Sequence, residues 1–203
     1  MNKNGIDIWD TFAEAFPMKC SRLIITADSL SWAKKAADAF TGFATSVIAC
    51  GCEAGIECII PKNKSPDNRP GISVLIFSMS SKELAKQVLN RAGQCIMTSP
   101  SSALFAGNFS EIKIKLGNSL RYFGDGFQIS KKVGERRFWR IPVMDGEFVC
   151  EDFAYQMPAI GGGNFLILGE TRQSVLKASE KAVKAIENLK NVIRPFPGGV
   201  VRS

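Results

Sequence analysis

Two carboxylates stand side by side in the segment FVCEDFAY, Glu151 and Asp152, in a chain of 203 residues without a single histidine. The absence of histidine removes the commonest general base near neutral pH. It also removes Ser-His-Asp and Cys-His catalysis and every zinc site that needs an imidazole. Acid–base work then falls to Asp, Glu, Lys, Cys, Tyr or water. The adjacent acids are the first candidates for proton transfer, although neighbouring carboxylates are also common on ordinary loops and strands.

Two glycine-rich stretches could bring backbone amides to a ligand. One is GGGN, Gly161 to Asn164; the other is YFGDGFQ, in which Gly124 and Gly126 flank Asp125. Phosphate-binding loops place their glycines after a strand and before a helix. Here Gly161, Gly162 and Gly163 precede a strand-like run, and no GxxxxGK[ST] pattern occurs. The GGGN stretch reads either as close backbone packing or as a place where a substrate runs against bare amides. The second stretch reads as a turn with unusual backbone geometry.

The segment KKVGERRFWR mixes Lys131, Lys132, Arg136, Arg137 and Arg140 with Phe138 and Trp139. Such interleaving can grip nucleic acid. No segment matches the aromatic signature of an RNA-recognition domain, so a solvated hairpin is the preferred reading and no nucleic-acid partner is expected. The six cysteines include Cys50-Gly-Cys52 followed by Cys58. That spacing fits no common metal site, so no metal is expected and the thiols are read as reduced and partly buried. Lys and Arg exceed Asp and Glu by 26 to 19, a formal charge of +7, which suits anionic ligands or simply a solvated surface. No run approaches the ~18 apolar residues of a membrane span and no signal peptide is visible. The expectation is a soluble cytoplasmic protein with no membrane partner.

The elements that must hold these groups follow from periodicity. Residues 20–28 read as a strand. Residues 29–40 read as a helix capped by Asp28 or Ser29, with Ala33, Ala36, Ala37 and Phe40 on one stripe. Residues 45–50 read as the returning strand and 61–71 as a loop. A third strand covers 72–79. Ser80 and Glu83 form a capping-box pattern opening a helix that ends at Gly93, and 110–117 alternate as a strand. This β-α-β, β-α-β order predicts an α+β fold of the ferredoxin-like kind, an antiparallel sheet with two helices on one face. A hairpin over 127–143 turns near Gly134. The pattern then restarts with a strand at 161–170, a helix at 171–190 and a strand at 191–199. The expected division is a first lobe over 1–144 and an incomplete second lobe over 145–203. A lone β-α-β unit has little apolar area to bury, so it requires cover from elsewhere.

Several ordered stretches carry a family resemblance. They are IDIWDTFAEAFPMKCSRLIITA, TGFATSVIACGCEAGIEC, RPGISVLIFS, RAGQCIMTSP, YFGDGFQ, IPVMDGEFVCED, GGGNFLILGE and PFPGGVV. From about Gly5 onward the chain resembles formylmethanofuran:tetrahydromethanopterin formyltransferases of methanogenic archaea and of bacteria that oxidise one-carbon compounds. The resemblance implies two ferredoxin-like lobes and an oligomeric assembly. It implies reversible acyl transfer of a formyl group between methanofuran and tetrahydromethanopterin as carrier substrates, in methanogenesis or related one-carbon metabolism. No metal or bound prosthetic group is implied. The family's chains continue beyond the point where this one stops. Two readings are therefore carried: an active transferase, and a non-catalytic shortened homologue or assembly subunit that pairs with a full-length relative. For the transferase, Glu151 or Asp152 is the expected proton shuttle. Gly161, Gly162, Gly163 and Asn164 are expected to contact substrate or the oxyanion, and Gly124, Asp125 and Gly126 to line the cleft.

Overall fold

A computed structural model describes residues 1–11, 14–187 and 189–202. In chain order the elements are β1 (Asn2–Lys3), β2 (Ile6–Asp7), β3 (Phe16–Thr26), α1 (Leu30–Thr41), β4 (Glu53–Ile60), β5 (Gly71–Ser78) and α2 (Ser81–Arg91). Then come β6 (Ala103–Ala106), β7 (Lys113–Lys115), α3 (Gly117–Leu120), β8 (Ile129–Val133), β9 (Arg136–Val143), β10 (Gly146–Glu151), β11 (Phe153–Tyr155), β12 (Met157–Gly161) and α4 (Arg172–Ile186).

The main sheet runs β4-β5-β3-β6-β10-β9-β8. Its first four strands, with α1 and α2 between them, have the order and antiparallel pairing of a ferredoxin-like unit. The long strand β3 organises the layer. One edge pairs with β5 along Lys19–Thr26. The other edge is shared: Leu23–Thr26 takes β6 and Phe16–Cys20 takes β12. The neighbours β6 and β10 are parallel, and β8 to β10 form a meander on that side. The sheet thus passes straight across position 144/145, with β10 and β12 woven into the same layer as β3.

Strand alternation sends Leu23, Ile25, Ile72, Val74 and Ile76 to one face. There Ala33, Ala36, Ala37 and Phe40 of α1 and Leu84 and Val88 of α2 close the core. The small alanines let α1 lie close to the sheet. Helix α1 starts where Ser29, not Asp28, accepts a hydrogen bond from the Trp32 amide at 3.3 Å. In α2 the Ser80 hydroxyl accepts from the Glu83 amide at 3.1 Å. The Glu83 side chain does not complete a capping box; it accepts instead from Gln87. Replacing Ser80 with Ala is expected to cost about 1 kcal/mol, read as a shift in urea midpoint.

Four expectations are corrected. The second strand lies at Glu53–Ile60 rather than 45–50: Phe43 and Ala49 take left-handed backbone angles, φ +57° and +64°, which break an extended run. The helix does not end at Gly93: Ala92–Ile96 widen into a π turn that keeps Ala92 and Ile96 buried. Of the strand expected over 161–170 only Gly161 is paired, and 191–199 is irregular with one 3₁₀ turn at Pro197–Gly199. A strand exists only where a neighbour accepts its ladder, and among the described residues none faces these segments. Position 188 of the expected helix lies outside the described residues.

An ionic clasp ties 191–194 to the sheet face opposite the helices. Arg22 of β3 gives Nε and Nη2 to the Glu57 carboxylate at 2.8 and 2.9 Å, and Ser73 donates to it at 2.7 Å. The Asn191 amide donates to Glu57 at 3.0 Å while its side-chain oxygen accepts from Arg22 at 2.6 Å. The left-handed backbone of Asn191, φ +65°, makes both contacts possible. Beside it Ile193 rests on Gly55, where a Cβ would lie 2.9 Å from the Ile193 Cβ.

Candidate active site

Glu151 ends β10 and Asp152 sits in the break before β11. In an unbroken strand consecutive residues would face opposite ways. Here the Asp152 amide donates to the Arg137 carbonyl at 2.8 Å, and its own carbonyl accepts from the Leu116 amide at 3.0 Å. The break brings both acids to one cleft of about 230 Å³ at the ends of β7, β9 and β11. Gly117 makes the approach possible: a Cβ there would lie 2.6 Å from Trp139 and 2.7 Å from the Glu151 carbonyl.

The two acids differ in what remains free. Glu151 is 2% exposed. Its Oε1 accepts from Arg136 Nε at 2.8 Å, and its Oε2 accepts from Arg136 Nη2 at 2.6 Å and the Ala106 amide at 3.0 Å. Three N–H donors thus engage both oxygens of that buried carboxylate. Asp152 is tied at one oxygen, where Oδ1 accepts from the Trp139 indole at 2.7 Å. Its Oδ2 has no hydrogen-bond partner among the described residues. Of the pair, Asp152 is the one with an oxygen available to a ligand.

The surroundings are cationic. Lys113, Lys132, Arg136 and Arg137 line the cleft. The hydrogen bond to Glu151 raises the Arg136 guanidinium above its usual range, so it stays charged. Its central carbon lies 5.2 Å from the ring centres of both Phe109 and Phe138. Tyr155 closes one side; burial, and then the nearby Glu151, push its phenol upward, so it stays neutral and able to donate.

Neither glycine stretch lines this cleft. At Gly161 and Gly162 added Cβ atoms would strike Met18 and the Glu14 carbonyl, and Gly162 has φ +97°. Gly163 and Asn164 are exposed beyond the end of β12. Gly124 packs on Gln128 and Pro142, Asp125 is left-handed at φ +47°, and the Gly126 amide donates to Gln128 at 2.9 Å. No hydrogen bond from Glu151 or Asp152 reaches either stretch among the described residues. The structure adds Arg136, Trp139 and Tyr155, which the sequence reading had not placed with the acids. Their partnership depends on strand register, Trp139 opposite Cys150 and Phe138 opposite Glu151.

A larger space of about 540 Å³ lies between the end of α1, β4 and the 194–199 segment. Its charges are already paired, Lys34 with Asp38 at 2.8 Å and Arg194 with Glu187 at 3.5 Å, which leaves little for chemistry. All six cysteines are free. Burial raises Cys52, Cys58, Cys95 and Cys150 and pushes Cys20 up to about 12, so these five are poor nucleophiles. Among the described residues no three His, Cys, Asp or Glu side chains gather to hold a metal ion, and no helix is long and apolar enough to cross a membrane.

A ferredoxin-like sheet extended by a meander, with a carboxylate-floored, cation-lined cleft at its strand ends, defines an α+β protein suited to proton-assisted chemistry on an anionic ligand. Comparison with known proteins gives the family. Residues 1–143 match the family model "Formylmethanofuran-tetrahydromethanopterin formyltransferase", and 146–203 match "FTR, proximal lobe". A formylmethanofuran–tetrahydromethanopterin formyltransferase of Methylococcus capsulatus is 60% identical over 98% of this chain and 67% of its own length. The formyltransferase/hydrolase complex of Methylorubrum extorquens, solved with methylofuran, has a chain with TM-score 0.95 and 50% identity, covering 100% of this chain and 68% of its own. The Methanosarcina barkeri formyltransferase follows at TM-score 0.92 and 42% identity, covering 99% of this chain and 68% of its own. The chain belongs to the formylmethanofuran–tetrahydromethanopterin formyltransferase family and spans about two thirds of the length of these relatives.

Proposed function

We propose that this chain catalyses formyl transfer between formylmethanofuran and tetrahydromethanopterin in one-carbon metabolism, with Asp152 as proton shuttle. The observation that carries the assignment to Asp152 is its unpartnered oxygen at the floor of the cleft, held in place through the Trp139 indole.

The reaction moves an acyl group between two nitrogens. The attacking amine adds to the formyl carbon, the carbonyl oxygen becomes an oxyanion, and the attacking nitrogen acquires a positive charge. Asp152 Oδ2 accepts the proton from that nitrogen and returns it to the departing one as the old C–N bond breaks. Charge balances at every stage and no covalent enzyme intermediate is needed. Such shuttling contributes roughly 10²–10⁴ in rate. Glu151 does not share the proton; it fixes Arg136, whose charge favours the developing oxyanion. The two carriers are the only reactants, with no resident cofactor.

A cytoplasmic setting with reduced thiols suits the six free cysteines. Assembly with further copies or with another polypeptide belongs to the same reading. Its support is the apolar run Phe165, Leu166 and Leu168, exposed on an unpaired segment, and the relative that is a subunit of a larger complex.

The test is Asp152→Asn. The amide oxygen still accepts from Trp139, so the thermal midpoint is expected to stay within a few degrees while turnover falls roughly 10²–10⁴-fold. Turnover within a factor of two of the unaltered protein would remove Asp152 from the mechanism.

A further inference from the structure

The cleft holds more positive charge than its own floor uses. Arg136 is spent on Glu151 through two hydrogen bonds. Lys132 lies 3.5 Å from Glu135. The other two cations have no carboxylate within ion-pair distance among the described residues. The Arg137 guanidinium donates to the neutral Ser130 hydroxyl at 2.8 Å. The Lys113 ammonium sits 5.2 Å from the centre of the Phe153 ring.

Both are aimed by register. Lys113 of β7 stands opposite Tyr155 of β11, and Arg137 of β9 stands opposite Lys132 of β8. The two small ladders therefore flank Asp152, one uncommitted cation on each. Both side chains are exposed, and they line one concave space in which four cations face the three carboxylates of Glu135, Glu151 and Asp152, so the balance of charge there favours an anion.

We propose that Lys113 and Arg137 form a subsite for an anionic group, a carboxylate or a phosphate, on a non-reacting part of the carrier whose nitrogen meets Asp152. This rests on the functional reading above. The planar fork of Arg137 can hold two oxygens of either group, and the Lys113 ammonium adds a point charge. The space is below the usual 300–1,000 Å³ of a site that swallows a whole ligand. It takes an acid group and the reacting nitrogen, and leaves the rest of the carrier outside. Binding energy from that remote acid would hold the carrier equally in the ground state and the transition state, so its loss appears in KM.

The experiment compares Lys113→Gln and Arg137→Gln with Lys131→Gln. The control removes the same charge from β8, but strand alternation puts Lys131 on the opposite face from Lys132. Inorganic phosphate and citrate are titrated separately at fixed ionic strength, and the amide resonances of residues 113, 137 and 155 are followed by NMR. Saturable shifts are expected in the unaltered and K131Q proteins, with affinity about tenfold weaker in K113Q and R137Q, the loss of one charge-assisted hydrogen bond. Saturation by phosphate alone names a phosphate; saturation by citrate alone names a carboxylate. In the transfer assay the same two variants are expected to raise one carrier's KM about tenfold with kcat unchanged within twofold. Shifts that do not saturate, or a K131Q protein weakened as much as R137Q, would overturn the subsite. Intact anion binding together with an inactive unaltered protein would overturn the transferase reading and leave the subsite standing.

Discussion

Arg136→Ala is expected to lower the free energy of unfolding by about 3–5 kcal/mol, the range for removing one partner of a buried ion pair. Glu151 is the reason. Its side chain is 2% exposed and that of Arg136 is 32% exposed, so the substitution leaves a buried carboxylate with only the Ala106 amide. Partial exposure of Arg136 lets water replace some of its hydrogen bonds, which puts the result toward the lower end. The loss should be local at first. The Ala106 bond lies beside the short parallel pairing of β6 with β10, Ala103–Leu104 against Val149–Cys150. Urea unfolding gives the size, and hydrogen exchange at Ala106 gives the place. A loss under 1 kcal/mol would mean that Glu151 is better solvated than its burial indicates. Glu151→Gln keeps one oxygen for Arg136 Nη2 and the Ala106 amide but sets its NH2 against the Arg136 Nε–H, so it should also destabilise.

Arg22→Ala is expected to cost about 3 kcal/mol and to free the 189–194 segment. The Glu57 side chain is 7% exposed and that of Arg22 20%. Burial alone would raise the Glu57 carboxyl, but hydrogen bonds from Arg22, Ser73 and the Asn191 amide outweigh it and hold the group below its ordinary value. The folded-state pKa is therefore depressed. The stabilisation is fully present above the unfolded value of about 4.3, and is lost as pH falls through the lower folded value. The Asn191 amide, which donates to Glu57, should lose protection on acidification before those of β3 and β5 do. Unchanged exchange at Asn191 in the R22A protein would show that the clasp is not what holds this segment.

The β-α-β, β-α-β order was legible because helix and strand periods alternate cleanly around Phe40, Val74 and Val88. The capping serine at position 80 was legible for the same local reason. The returning strand was placed too early. VIAC looks like a strand by composition, whereas EAGIECII carries a bulge between Ile56 and Cys58 that blurs its alternation. The family was legible too, since ordered stretches over nearly the whole chain carry far more information than a short motif. At the site, Glu151 and Asp152 could be picked by type. The division of labour between them could not, because it is set by partners 15 and 13 residues away, Arg136 and Trp139, through the register of β9 against β10. The Arg22–Glu57–Asn191 clasp was invisible for a similar reason: its members lie on two strands and a distant loop. The glycines at 161 and 162 stood out in the sequence, and added Cβ atoms there would meet Met18, Phe16 and Glu14.

Formyl transfer itself can be measured directly. Purified protein is mixed with formylmethanofuran and tetrahydromethanopterin, and formation of the formylated pterin is followed beside the Asp152→Asn variant and a protein-free control. Transfer well above the uncatalysed rate, falling at least a hundredfold in the variant, is the expected result. No transfer above the control, or equal rates in the two proteins, would contradict it.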